Sequence, residues 1–180
     1  MSQPTPSRPP AETASSKLFT RLFVELFQTE ESALQHPRIE AERLGDAPPG
    51  RTMMAVSEHA GRSLEELRAL ASAEGLETTS AGARLGDLFS VLRDAVADRT
   101  LDREKSYRGT LLGMRHGIDL VTLVEGTARV EGRVAVSSWC QRWLAERRPL
   151  TEGVAGELAW FAANPEHALE SAKDPIAAPG

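Results

Sequence analysis

With 180 residues, 41% of them hydrophobic, and a formal charge of −5, the chain is long enough for one domain with a continuous core, and its basic residues are too interleaved with acids for a dedicated nucleic-acid binder. Its one cysteine, Cys140, excludes an intramolecular disulfide and a thiolate zinc site, and with no sign of an oxidising compartment the cytoplasm is the default location. No run reaches the roughly 18 apolar residues of a membrane span, and the N-terminus lacks the basic start and apolar run of a signal peptide.

Residues 1–16 are rich in proline and hydroxyl side chains and offer little to bury, so they read as a disordered tail. From Leu18 the apolar residues Phe19, Leu22, Phe23, Leu26, Phe27, Ala33 and Leu34 recur at three-and-four spacing, the signature of an amphipathic helix capped by Ser15 or Ser16. Pro37 is expected to kink or end it, and Gly45-Asp46-Ala47 to make the turn. Pro48 and Pro49 suit the first turn of a second helix, whose apolar face carries Met53, Val56, Ala60, Leu64, Leu67 and Ala71 and which ends near Gly75.

A shorter amphipathic segment with Leu85, Leu88, Phe89, Leu92 and Val96 reads as a crossover helix. Thr100 can cap the next long helix, with Asp102 in its first turn and Tyr107, Leu111, Met114, Ile118 and Val121 inward. Gly126 and Gly132 bracket a turn. Val136, Trp139, Cys140, Trp143, Leu150, Val154, Leu158 and Phe161 then mark a fourth long helix, bent at Pro149, and Asn164-Pro165-Glu166 opens a last short one. The fold expected is all-α: a bundle over residues 17–163, made of two antiparallel helical hairpins joined by a crossover, followed by a short helix and tail over residues 164–180.

Two strings carry a family likeness. SEHAGRSLEELRAL, from Ser57 to Leu70, resembles the stretch where ferritin-like four-helix bundles carry Glu-x-x-His followed by Leu-Arg and Ala-Leu, and WCQRWLAERRPL resembles the acidic stretch around the second ligand pair. Metal-bearing bundles of this kind point a Glu from each of two helices and a Glu-x-x-His pair from each of the others inward, because a di-iron centre needs hard oxygen donors completed by nitrogen. The resemblance implies a degenerate version of that site: Ala60 and Ser63 fall at the second-helix positions, Met114 at the third-helix position, Trp143 and Glu146 are the nearest candidate pair on the fourth helix, and Glu30 is the one strong family-like ligand left.

Glu30 lies among Leu26, Ala33 and Leu34, where an unpaired carboxylate is costly, and Arg147 on the inner stripe of the fourth helix is its expected ion-pair partner. The competing reading groups Glu30, Glu125 and Glu146 as iron or manganese ligands. His59 is expected at the edge of its helix, His116 away from the inner stripe, His36 before a proline and His167 beyond the bundle, so none pairs as a ligand set. Gly109, Gly113 and Gly117 form a ladder that each costs about 1 kcal/mol of helix propensity relative to Ala, implying close packing or an interface beside them. Trp139 and Trp143 read as core, and Cys140 as a buried inert thiol. The function expected is a non-enzymatic structural or protein-interaction module of a bacterial cytoplasm, without cofactor, nucleic acid or membrane, and with itself as one candidate partner in a homodimer. The alternatives are a carboxylate-bound iron or manganese protein acting in oxidation or storage, and a small-ligand sensor using the space beside the glycines.

Overall fold

Three-and-four apolar spacing builds four long helices in the computed structural model, which describes residues 13–76 and 101–173. They are α1 (Ala14–Leu44), α2 (Pro48–Ala73), α3 (Arg103–Val130) and α4 (Val134–Gly156), followed by the short α5 (Leu158–Ala163) and α6 (Pro165–Leu169). An isolated bridge between Asp102 and Ser171 is the one extended pairing among the described residues. No helix among these residues is long and apolar enough to cross a membrane.

Helix boundaries differ from expectation where a local rule meets a tertiary contact. The Oγ1 of Thr13 accepts the Ser16 amide at 3.1 Å, so the helix starts at Ala14, inside the stretch read as tail, and Ser15 and Ser16 belong to its first turn. Pro37 lies inside α1 without ending it. In the turn before the proline, Ser57 of α2 donates to the Leu34 carbonyl at 2.7 Å, tying that turn to a second helix. α3 likewise runs through Gly126, and the turn shrinks to Glu131–Arg133, where Gly132 takes the left-handed φ of 69°. Pro149 is accommodated within α4, and the break comes at Glu157. The expected crossover helix around Leu85–Val96, the Thr100 cap and both chain ends lie outside the described residues.

The long helices pack in a square. Leu34 meets Ser57 between α1 and α2, and Glu125 meets Ser137 between α3 and α4, so each sequential pair is antiparallel. α1 is also antiparallel to α3, because Glu40 near its end accepts from Ser106 near the start of α3 while Glu25 faces His116 further along. Glu66–Trp139 and Glu74–Arg133 set α2 antiparallel to α4. Diagonal helices are parallel: Arg133, before α4, covers the Phe19 ring near the start of α1. Leu76 and Leu101, which flank residues 77–100, therefore lie toward opposite ends of the bundle.

Two apolar clusters fill the interior. One end holds Phe19, Phe23, Leu26, Leu67, Leu120, Val124, Val136 and Trp139 among others, and the other holds Leu44, Met53, Val56, Tyr107, Leu111, Met114, Val154 and Phe161. At the second end the Tyr107 hydroxyl donates to the Val154 carbonyl at 2.9 Å, which supplies a partner where α4 approaches its break.

Candidate functional site

Between the two clusters lies a polar belt. Thr29, Glu30, Ser57, His59, Ser63, Arg147 and Thr151 are all buried, and on α1, α2 and α4 they fall between the segments that feed the two apolar clusters. α3 contributes a glycine at this level: a β-carbon on Gly117 would stand 3.3 Å from Thr29 Cγ2 and 3.9 Å from the Trp143 ring, so its bareness lets α3 close against the belt.

Arg147 organises the belt. Its Nη2 donates to Glu30 Oε2 at 2.7 Å and lies 3.0 Å from His59 Nδ1, while its Nε donates to the same imidazole nitrogen at 3.1 Å. The Trp143 ring supports the guanidinium, with its centroid 4.7 Å from Cζ. Glu30 is 0% exposed, Arg147 1% and His59 3%, so these bonds form out of reach of bulk water. The arrangement follows from helix geometry, since parallel diagonal helices present Glu30 and Arg147 at the same height from opposite sides of the interior.

The bonding fixes the imidazole tautomer. A guanidinium only donates, so His59 Nδ1 must accept and the ring proton sits on Nε2, which faces Glu146 Oε2 at 3.4 Å. Burial, and then the positive charges of Arg147 and Arg62, pull the His59 pKa from 6.5 down to about 4. Burial pushes the Glu30 carboxyl up, against the attraction of Arg147 and smaller help from Trp143 and Ser63. Among the described residues neither Glu30 Oε1 nor the Trp143 indole nitrogen has a partner within ordinary hydrogen-bond distance. A cleft of about 40 Å³, lined by His59, Ser63, Trp143 and Glu146 among others, opens beside the belt between α2 and α4, with room for roughly one to three waters.

The other acidic residues named from sequence are elsewhere. Glu125 accepts from Gln141 at 3.2 Å and from Ser137 at 3.0 Å, which in that order hold its carboxyl below the usual range. The Glu146 side chain is 61% exposed and meets the belt only through His59. Glu30, Glu125 and Glu146 are thus not gathered, and among the described residues no cluster of three His, Cys, Asp or Glu side chains could hold a metal ion. Ala60, Ser63 and Met114 face inward as their spacing requires. Among the described residues nothing stands within 4 Å of a β-carbon at Gly109 or Gly113, so of the three ladder glycines only Gly117 is closely packed there. The Cys140 thiol is buried and pushed up to about 12 by burial, which removes it as a nucleophile at neutral pH.

His59 is the residue that the sequence reading missed: expected at a solvent edge, it is the second acceptor for the buried guanidinium. Its 100° position beside the apolar stripe gives no inward signal until α4 is placed against that flank. A second polar region also went unread, at the start of α3. Arg103, 2% exposed, pairs with Glu170, while the Arg103 amide donates to the Glu170 carbonyl at 2.9 Å and the Ala172 amide to the Leu101 carbonyl at 2.8 Å, tying the C-terminal stretch to the entry of α3.

Fold and site together define an all-helical bundle whose centre is closed by a buried, histidine-backed ion pair. Comparison of the sequence and structure with protein-family models, curated proteins and solved structures gives no match.

Proposed function

We propose that this chain is a ferritin-like bundle whose centre packs rather than binds metal, acting as a non-enzymatic structural or protein-interaction module in a bacterial cytoplasm. The observation that carries the reading is the Arg147 guanidinium, bonded to Glu30 and His59 where a carboxylate-bridged bundle holds its cations. Support comes also from topology, with two antiparallel hairpins whose linking ends lie toward opposite ends of the bundle. At the expected ligand positions, Ala60, Ser63 and Met114 are buried, and none of them can supply the carboxylate or imidazole of a Glu-x-x-His site. Exposed Leu112 and Leu123 on α3 support the interaction half, since they fall on one helix face, three turns apart.

Metal analysis of protein purified without chelators tests the reading. Substoichiometric iron and manganese, unchanged in Glu30→Ala, is the expected result, and near-stoichiometric metal lost in that variant would overturn it in favour of a carboxylate-bound oxidase or storage protein. For the interaction half, sedimentation of the intact chain should reveal a self-associated species that Leu112→Asp with Leu123→Asp reduces to monomer. A monomer at all accessible concentrations removes the homodimer.

A further inference from the structure

The centre of the bundle has the chemistry of a guanidinium receptor. A guanidinium is flat, delocalised and purely a donor, so it is recognised by a carboxylate, by a lone pair in its plane and by an aromatic ring against its face. Three helices supply these groups: Glu30 Oε2 from α1 at 2.7 Å, His59 Nδ1 from α2 at 3.0 and 3.1 Å, and the Trp143 ring from α4 at 4.7 Å from Cζ. None of the three is more than 3% exposed, so a cation here gains its contacts without competition from bulk water. A small spherical ion would find one carboxylate and one imidazole nitrogen, too few donors to replace its water, whereas a planar cation engages every group present.

We infer that this centre is an internal receptor for guanidinium-class cations, filled in the native chain by its own Arg147, and that truncating that side chain opens it to a free guanidinium ion. The inference stands on this geometry and not on the ferritin-like reading, so metal analysis and guanidinium binding fail separately. The test is thermal unfolding of Arg147→Ala in low-millimolar guanidinium chloride, against sodium chloride of equal ionic strength and against urea, which has the same planar shape without the charge. Guanidinium at ten times its dissociation constant should raise the melting temperature of the variant by about 3–6 °C. The wild type, its receptor occupied, should show no such rise, and Glu30→Gln in the Arg147→Ala background should abolish it. An equal response to urea or sodium chloride, a response that survives Glu30→Gln, or none at all overturns the inference. Should Arg147→Ala not fold, nitrogen-15 arginine spectra of the wild type decide: the Arg147 Nε proton should exchange far more slowly than that of exposed Arg142, and exchange at a similar rate overturns the receptor.

Discussion

Arg147 and Arg103 are buried almost equally, at 1% and 2% exposure, yet the places that hold them differ. Arg147 faces a carboxylate that is itself 0% exposed and an imidazole held neutral, in the middle of the bundle. Arg103 sits at a bundle end, where its partner Glu170 is 44% exposed and belongs to the last described turn of the chain. The lesson is that burial of one partner does not set the energetic weight of an ion pair. What counts is whether water can take the place of the other partner when it is removed.

The largest expected effect follows from breaking the dry pair. Glu30→Ala leaves a guanidinium in the interior with only an imidazole to accept from it and should cost about 3–5 kcal/mol, measured by urea unfolding. Next comes Tyr107→Phe, which strips the Val154 carbonyl of its buried hydroxyl donor without changing the shape of the core and should cost about 1–2 kcal/mol. Glu170→Ala should cost less, about 1 kcal/mol or below, because solvent reaches the place vacated beside Arg103. A Glu170→Ala loss equal to that of Glu30→Ala would erase the contrast between the two sites.

A smaller effect is expected from pH. The folded-state pKa of His59 is depressed, so between about 6.5 and about 4 the unfolded chain binds a proton that the folded chain refuses. The contribution of His59 to stability is therefore fully present above pH 6.5 and declines as the pH falls toward 4. Glu30 and Glu40, both raised by burial, act with the opposite sign as pH rises above the ordinary carboxylate range, which makes the difference from His59→Gln the quantity to follow. Unfolding curves from pH 4 to 6.5 should show a shallower rise with pH in that variant than in the wild type, and equal slopes would place the proton elsewhere.

The helices were legible because periodicity is a property of the chain itself, and Met53, Val56, Leu67, Tyr107 and Trp143 fall on the faces that their spacing assigns. Their limits were less so. The passage of α1 through Pro37 coincides with the hydroxyl that Ser57 brings from another helix to that turn, and the continuation of α3 through Gly126 shows a weak helix former held by the packing of its neighbours. At the centre, Glu30 and Arg147 were conspicuous because each is a charge on an apolar stripe. His59 was not, since a histidine at a stripe's margin turns inward or outward according to the helix beside it, and that helix lies 88 residues further on. Arg103 gave no warning either, its cover being the returning C-terminal stretch.

The central claim is that Glu30 and Arg147 form one coupled unit in a dry interior, and a double-mutant cycle built from Glu30→Leu, Arg147→Met and the combined variant measures it most directly. Each single change should cost about 3–5 kcal/mol while the double, apolar on both sides, lies near the wild type or above it, a strongly non-additive result. Losses that add to within about 0.5 kcal/mol would show two independent side chains and contradict the account.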